Sequence, residues 1–375
     1  MDCMRVSGIG LVAAVVPAVF LSAAAGDAQP VMFVDEAAEA GVAALHVSRS
    51  PGEGAIVETT GSGACFLDFD LDGDLDLYLV QGATLATAGA ANPVTNALYE
   101  NLGDGTFTDV TARSGTGDNG WGGGCTVGDY DNDGDPDLYV TNNGPNRLFE
   151  NRGDGTFADA TARAGVGEER WSTGAVFFDA DRDGHLDLYV ANHLDFDSLP
   201  PTERTGCAWK GTPVMCGPAG FEPLPDVFFR NRGDGTFENA SRAAGVATLP
   251  PLYSLGVVAG DVDGDGDADL VVAVDSQPNL LLVNDGTGRF VDEGFVSGLA
   301  LSGDGREQAG MGVDLGDADG DGDPDVVVTN FSDDYHTLYR NDGDRLFTDV
   351  SRTAGLDPVT RSSLGWGVLF FDFDN

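Results

Sequence analysis

The sequence is short of positive charge, of histidine and of long hydrophobic runs. It contains 19 Lys plus Arg against 62 Asp plus Glu, which gives a formal net charge of -43. Because such a surface repels phosphate backbones and anionic lipids, nucleic acids and membrane surfaces are excluded as expected partners. The 4 histidines lack zinc-ligand spacing, and the sequence has no Gly-x-Ser-x-Gly elbow, Walker loop or Rossmann fingerprint. No catalytic constellation can be identified, and an enzyme is not the first expectation.

The one long hydrophobic run lies at the N-terminus. Residues 9–21 are mostly apolar, follow Arg5 and precede Ala23-Ala24-Ala25. This pattern predicts a signal peptide over residues 1–25, and therefore a secreted, periplasmic or cell-surface protein. The run is too short and too rich in alanine for a typical membrane-spanning helix, and the mature chain is expected to have no membrane span. An uncleaved N-terminal anchor is the alternative.

Aspartate, by contrast, is abundant and recurs in a nine-residue pattern, which we call the Asp loop. Positions 1, 3, 5 and 9 are Asp in all five complete copies, and position 6 is always Gly. The Gly predicts a sharp turn with positive φ. The complete copies are Asp68–Asp76, Asp129–Asp137, Asp179–Asp187, Asp261–Asp269 and Asp317–Asp325. A sixth copy begins at Asp372 and stops with the sequence.

The spacing of these carboxylates predicts about five calcium sites. Clustered carboxylates repel one another unless a cation neutralises them, and Ca²⁺ takes six to eight oxygen ligands in flexible geometry. Position 7 is Asp in four copies but His185 in the third, so it is expected to contribute its backbone carbonyl. A solvated acidic turn without metal is the alternative. The predicted side-chain ligands are Asp68, Asp70, Asp72, Asp76, Asp129, Asp131, Asp133, Asp137, Asp179, Asp181, Asp183, Asp187, Asp261, Asp263, Asp265, Asp269, Asp317, Asp319, Asp321 and Asp325, and the predicted carbonyl ligands are Asp74, Asp135, His185, Asp267 and Asp323.

The residues around each loop predict strands rather than the helices of an EF-hand. An EF-hand needs a Glu at loop position 12, whereas that position here is Leu79 or a Val. Each repeat consists of a glycine-containing first strand, the Asp loop, a second strand such as Asp-Leu-Tyr-Val, a third strand, a tight hairpin and a fourth strand. The hairpin is Gly-Asp-Gly, as at residues 103–105, and the fourth strand opens with Thr-Phe, as at residues 106–107.

Four strands in a repeat of about 50 residues predict an all-β fold, a β-propeller of four-stranded blades. A Gly stands five residues before every loop, where the innermost strands would crowd the central axis. The complete repeats are expected at about 61–115, 121–165, 171–245, 254–300 and 309–355.

The two ends of the repeat array are incomplete. Residues 31–41 match a fourth strand and its turn, and residues 365–371 match a first strand. We expect a C-terminally truncated piece of a longer propeller of seven blades, over residues 31–375. In a closed propeller the orphan fourth strand would complete the last blade and cover its edge.

The third repeat carries an insertion between its second and third strands, residues 193–225, and Cys207 and Cys216 lie within it. In an exported protein these two cysteines are expected to form a disulfide. Cys65 and Cys125 lie in equivalent strands of neighbouring repeats, and either a second disulfide or two buried thiols are compatible with the sequence.

The loop pattern and the Asn-x-Gly-Asp-Gly-Thr-Phe hairpins resemble the FG-GAP/VCBS repeats of integrin-like β-propellers. The segment Cys207–Pro218 resembles the insertion of cartilage acidic protein-like members, the ASPIC/UnbV group. The resemblance implies a seven-bladed propeller and calcium at positions 1, 3, 5, 7 and 9 of each loop. It implies little about activity.

The leading hypothesis is a non-enzymatic, exported propeller with structural calcium that presents its loops to a protein or glycan ligand. A polysaccharide lyase or hydrolase is the first alternative, and it would require His193, His336 and nearby acids to meet in one pocket. An adhesion module of a larger protein is the second.

Overall fold

The computed structural model describes residues 33–44, 46, 54–85, 94–204 and 206–372. The predicted signal peptide, residues 1–25, lies outside these ranges. The chain divides into two compact units, Met1–Glu36 and Ala37–Asn375. Residues 33–36 of the first unit have no regular structure. The second unit contains all the elements that follow.

Five sheets, each of four antiparallel strands, form the second unit, and within each sheet the spatial order follows the chain. This confirms the predicted all-β class and the five complete repeats. The first sheet contains β1 (Ala64–Leu67), β2 (Asp76–Leu79), β3 (Ala97–Asn101) and β4 (Phe107–Asp109). The second contains β5 (Gly122–Gly128), β6 (Asp137–Asn142), β7 (Arg147–Asn151) and β8 (Phe157–Asp159). The third contains β9 (Ser172–Phe178), β10 (Asp187–Asn192), β15 (Val227–Asn231) and β16 (Phe237–Asn239).

The last two sheets repeat this arrangement, and one helical turn follows most of the fourth strands. The fourth sheet contains β17 (Ser254–Gly260), β18 (Asp269–Val274), β19 (Leu280–Asn284) and β20 (Phe290–Asp292), and the fifth contains β21 (Gly310–Gly316), β22 (Asp325–Asn330), β23 (Thr337–Asn341) and β24 (Phe347–Asp349). The short helices are α1 (Thr111–Ser114), α2 (Thr161–Ala164), α3 (Gly294–Ser297) and α4 (Leu356–Thr360), and four 3-10 turns cover Ile56–Glu58, Phe196–Ser198, Pro201–Glu203 and Val246–Thr248.

Successive sheets pack through the first strands, where the predicted glycines lie. A Cβ on Gly124 would stand 2.7 Å from the Thr173 carbonyl oxygen, and one on Gly174 would stand 2.6 Å from that of Leu255. Because these distances are shorter than real Cβ contacts, only glycine fits there. The close backbone approach predicted from the sequence is confirmed.

The apolar core lies between neighbouring sheets. Tyr78 and Leu98 of the first sheet, for example, cluster with Leu138, Val140 and Phe149 of the second. The second strands supply most of this core, since every residue of β6, β10, β18 and β22 is buried. Such strands are apolar or β-branched on both faces because sheets pack on both sides of them.

The turn after each fourth strand packs on the fourth strand of the next sheet. Gly245 has φ +87°, and a Cβ there would meet the Phe290 carbonyl oxygen at 2.8 Å, while the Phe290 amide donates to Ala244 at 2.8 Å. The turn at residues 37–41 makes the same contact, since the Phe107 amide donates to Ala40 at 2.7 Å. This turn therefore occupies the place of a repeat preceding the first sheet.

Within the described residues neither partial repeat forms a strand, which corrects the expectation for both ends. Residues 365–371 were expected to be a first strand, but no second strand pairs with them and they have no regular structure. They nevertheless take the place of a sixth first strand, because Thr329 Oγ1 donates to the Trp366 carbonyl at 2.6 Å as Thr141 Oγ1 does to that of Thr173. The described part of the expected fourth strand, residues 33–36, is also irregular.

The insertion of the third repeat contains two small pairs of strands and one disulfide. β11 (Leu194–Asp195) pairs with β14 (Glu222–Pro223), and β12 (Ala208–Trp209) pairs with β13 (Thr212–Pro213). The Cys207–Cys216 disulfide closes the tip around the second pair, as predicted. Since β11 and β14 pair at its base, the insertion leaves and rejoins the third sheet at adjacent points.

A second disulfide links the first two sheets. Cys65 on β1 and Cys125 on β5 are bonded, with their Cα atoms 6.1 Å apart. Of the two alternatives left by the sequence, the structure therefore has the disulfide. No helix in the described ranges is long and apolar enough to cross a membrane.

Candidate metal sites

Each Asp loop is shaped by its own carboxylates. In the second loop, Asp129 Oδ1 accepts from the Asp133 amide at 3.1 Å and Asp129 Oδ2 accepts from the Gly134 amide at 2.9 Å. Asp133 Oδ1 in turn accepts from the Asp135 amide at 3.0 Å. The same bond from position 7 to position 5 occurs in the other four loops. The carboxylates thus wind the backbone into a compact turn between the first and second strands.

Two positions of this turn have a left-handed backbone, of which the sequence predicted one. The Gly at position 6 has positive φ in all five loops, between +87° and +98°, as predicted. Position 4 also has positive φ in every loop, although three copies carry Leu71, Asn132 and Arg182 there, at φ values of 58°, 61° and 58°. Gly264 and Gly320 lie at position 4 of the last two loops, and these glycines could have indicated the left-handed backbone there.

The loops bring carboxylate oxygens together in groups of three, within 4.8 Å of one another. Positions 1 and 3 belong to the group in every loop. The third member is position 9 in the first, second and fifth loops and position 5 in the third and fourth. The groups are Asp68, Asp70 and Asp76; Asp129, Asp131 and Asp137; Asp179, Asp181 and Asp183; Asp261, Asp263 and Asp265; and Asp317, Asp319 and Asp325.

Position 7 contributes no side chain to these groups. A Cβ on Gly153 would stand 2.6 Å from Asp135 Oδ2, and one on Gly233 would stand 2.7 Å from His185 Nε2, so these side chains lie over the hairpin between the third and fourth strands. That the carbonyls of position 7 bind the metal stays a prediction.

The Asp at position 9 also has a structural role that the sequence did not reveal. Asp137 is fully buried, and its two oxygens accept from the Tyr130 amide at 3.1 Å and from the Asn151 amide at 2.8 Å. It therefore ties its own loop to the third strand. Burial raises the pKa of Asp137 to about 8 and that of Asp187 to about 7. A nearby cation would favour the ionised form of such carboxyls.

In the second to fifth sheets, an asparagine at the end of the third strand links neighbouring loops. Asn151 Nδ2 donates to the Phe69 carbonyl of the preceding loop at 2.8 Å and to the Pro136 carbonyl of its own loop at 3.3 Å. Asn231, Asn284 and Asn341 repeat the link to the preceding loop. The role of these asparagines was not predicted, although their constant place before the hairpin of every repeat could have indicated it.

Further side chains connect adjacent loops on the solvent side. Asn132 Nδ2 lies 2.9 Å from His185 Nδ1, and Arg182 Nε lies 2.6 Å from Asp267 Oδ1. Each runs from position 4 of one loop to position 7 of the next. Position 7 thus takes part in contacts between loops, and His185 fills this role in the third loop.

The surroundings of one carboxylate oxygen indicate whether the carboxylate groups of the loops fit a cation. Asp131 Oδ1 is buried and has no hydrogen-bond partner in the described part of the chain. Burial, together with the charges of Asp133 and Asp129, raises the pKa of this carboxyl. An anionic oxygen that is buried and unpaired is costly, and coordination to a cation would satisfy it. The all-oxygen donor set fits a hard cation such as Ca²⁺.

The histidines of the enzyme alternative do not line the same cavity. His193 is buried between Trp171 and Tyr253, with ring centroids at 5.0 and 5.8 Å, and His336 Nδ1 accepts from the Asn330 amide at 3.1 Å. Neither residue is among those lining four of the cavities in the described ranges.

The sheets, hairpins and Asp loops recur five times along the chain, and comparison with known families also finds five repeats. The FG-GAP-like repeat family matches residues 68–140, 129–190, 223–272, 261–328 and 317–375. The chain belongs to this family. No curated protein matches the chain.

Solved structures resemble the chain only loosely. An Agrocybe aegerita lectin, described as recognising non-reducing terminal N-acetylglucosamine, is 17% identical over 76% of this chain and 64% of the lectin, with a TM-score of 0.41. The biofilm matrix protein Bap1 of V. cholerae is 12% identical over 80% and 41% of the two chains, with a TM-score of 0.39. The exotype rhamnogalacturonan lyase YesX is 16% identical over 76% and 48%, with a TM-score of 0.39. The chain spans less than two thirds of each, and TM-scores below 0.5 carry no argument about ligand or activity.

Proposed function

We propose that this chain is an exported calcium-binding scaffold that presents its surface to a protein or glycan ligand. The observation that carries the proposal is that the same backbone turn brings three carboxylates together in each of five copies. In the second copy, Asp131 Oδ1 is buried and has no hydrogen-bond partner. A solvated acidic turn has no need to bury an anionic oxygen.

Calcium in these loops is structural in this proposal. Positions 1, 3, 5 and 9 would hold the ion with their carboxylates and position 7 with its carbonyl. The ion would neutralise charges that the chain itself leaves unbalanced, and would fix the turn between the first and second strands. The chain's own residues set the shape of the turn, through the Asx-type bonds of positions 1 and 5.

The five sheets are blades of a β-propeller in this proposal, and seven is the number of blades. The successive packing of first strands through glycine supports the propeller, as does the place of residues 365–371 beside β21. The turn at residues 37–41 supports it too, since it packs like the end of a preceding blade.

Export and the finer family assignment belong to the same proposal. Two disulfides within one chain are typical of oxidising compartments. The segment Cys207–Pro218 is the basis for placing the chain near the cartilage acidic protein-like, ASPIC/UnbV group.

Binding is preferred to catalysis because the acids and histidines do not converge. Neither His193 nor His336 lines any of four cavities in the described ranges, whereas the carboxylates converge in groups of three in the loops. A polysaccharide lyase or hydrolase remains the first alternative, and an adhesion module of a larger protein the second.

Calorimetric titration of the exported chain with Ca²⁺, after treatment with chelator, tests the proposal. The expected result is a stoichiometry near five and little response to Mg²⁺ at the same concentration. Asp131→Asn should remove about one site, whereas Asp104→Asn, a hairpin residue outside the carboxylate groups, should remove none. A chain that takes up no Ca²⁺ would overturn the calcium assignment.

A further inference from the structure

The insertion of the third repeat reaches across to the fifth sheet. Lys210 Nζ lies 2.6 Å from Asp333 Oδ1, and the Trp209 ring lies edge-on to that of Phe331 with centroids 6.1 Å apart. At its other side, Thr59 Oγ1 donates to Met215 Sδ at 2.7 Å. The disulfide-closed tip is thus held by contacts to two different parts of the chain.

A cavity of about 490 Å³ lies beneath this tip, and we call it the insertion cavity. Its volume is within the range of about 300–1,000 Å³ that ligand pockets typically have. Trp209, Phe331 and Trp366 form its aromatic walls, and Asp275, Asp334 and Arg306 are its main charged residues. The aromatic residues come from three separate segments, and Trp209 is 43% exposed.

Asp275 is a buried acid of the insertion cavity with few hydrogen bonds. It is only 8% exposed, and its carboxylate accepts one hydrogen bond, from Ser276 Oγ at 2.8 Å. A carboxylate can accept about four hydrogen bonds, and a buried one is costly when few are made. Asp275 therefore offers the cavity a buried acceptor with unused capacity for donors.

Opposite charges line the same space. Arg306 makes no ion pair in the described ranges and lines the cavity, while Asp334 Oδ2 accepts only from the Ala309 amide at 3.2 Å. Asp333 also lines the cavity but is paired with Lys210. A cationic ligand would therefore meet Arg306, and an anionic ligand would meet Asp275 and Asp334. A ligand that offers hydroxyl donors and acceptors together, with an apolar face for the aromatic rings, meets neither penalty.

We propose that the insertion cavity binds a neutral glycan, with a sugar ring against Trp209 and its hydroxyls on Asp275 and Arg306. The inference deepens the proposed scaffold function and rests on it, because it names the ligand class and the place where it binds. Calcium is not required to touch the ligand.

An array of neutral glycans, probed with the exported full-length chain in Ca²⁺, tests this inference. The strongest neutral glycan is then titrated against the wild type and two variants, Trp209→Ala and Asp275→Asn, by tryptophan fluorescence or calorimetry. Each variant should weaken binding by about tenfold or more, as expected for an aromatic anchor and a buried polar contact. Phe295→Ala is the matched control, because Phe295 is an aromatic residue 66% exposed in the α3 turn and does not line the cavity.

Three results would overturn the inference. They are the absence of any neutral glycan bound on the array, binding that both variants leave unchanged, and binding of tetramethylammonium or oligogalacturonate in place of neutral glycans. Trp209 is exposed on a hairpin, so its variant should fold, and the melting temperature of both variants checks this. Calcium titration of the same preparations separates the two proposals: normal calcium uptake without glycan binding defeats the glycan site alone.

Discussion

The Asp loops and the insertion use opposite strategies to order irregular backbone. Each loop is held by local carboxylate and asparagine bonds that recur with almost the same distances in five copies. The insertion occurs once, and it is held by a disulfide, two short strand pairs and contacts to distant residues. Because the loop contacts recur in every repeat, they serve the folding of the repeats themselves. Because the insertion occurs in one repeat only, it is the place where we look for a specific ligand site.

Calcium removal should have the largest effect, and it should act on the loops. A site held at ten times its Kd contributes about 1.4 kcal/mol, so five sites contribute about 7 kcal/mol to the free energy of unfolding. Excess chelator should therefore lower the melting temperature strongly, as measured by calorimetry. An unchanged melting temperature would mean that the loops order themselves without metal, and the comparison with the insertion would lose its basis.

Asp137→Ala should separate the structural role of position 9 from metal binding. The substitution leaves the buried amides of Tyr130 and Asn151 without an acceptor, at about 1–3 kcal/mol each, so unfolding should be easier by about 4 kcal/mol. The measurement is denaturant unfolding in excess chelator, where calcium makes no contribution. Asp135→Ala in the same loop is the control and should change stability little. Equal effects of the two substitutions would contradict the assignment.

The two disulfides should have different consequences when removed. By the chain-entropy relation, the Cys65–Cys125 bond, with a sequence separation of 60, contributes about 4 kcal/mol, and the Cys207–Cys216 bond, with a separation of 9, about 2.5 kcal/mol. Replacing the first pair by Ser should lower the unfolding midpoint more and leave glycan affinity intact. Replacing the second should reduce glycan affinity. A first-pair variant that loses the glycan would show that the two regions are not separable.

The base of the insertion should be sensitive to acid. Burial lowers the pKa of His193 from its usual 6.5 to about 4. As the pH falls, His193 is protonated in the unfolded chain before it is protonated in the folded chain. Its contribution to the free energy of unfolding is therefore fully present above pH 6.5 and is lost as the pH falls toward 4. The loss is about 2 kcal/mol at pH 5. Asp226, whose pKa burial raises to about 6, acts in the opposite direction.

Comparison with His193→Phe isolates this contribution. The free energy of unfolding of the wild type should fall relative to the variant between pH 7 and pH 5. Parallel pH profiles of the two proteins would show that His193 is not the acid-sensitive group.

The sequence predicted the repeats, the loops and the strands well because each depends on local chemistry. The Gly at position 6 was predicted to have positive φ, and the Gly of each first strand was predicted to allow close backbone approach. The structure has both features. Contacts between repeats were beyond such a prediction. Three features depend on how distant segments are placed. They are the link that Asn151 makes between two loops, the left-handed backbone at position 4 even in Leu71, and the contact of Trp209 with Phe331.

The asparagines at the ends of the third strands would couple the loops to one another if the loops bind calcium as proposed. Asn151, Asn231, Asn284 and Asn341 each donate to the backbone of two successive loops. Ordering one loop around an ion therefore places an acceptor for the asparagine that also holds the next loop. Five sites joined in this way form a one-dimensional chain with nearest-neighbour coupling. If the loops bind calcium as proposed, occupation would spread along the array cooperatively, and the array would respond to calcium over a narrower range of concentration than any single loop.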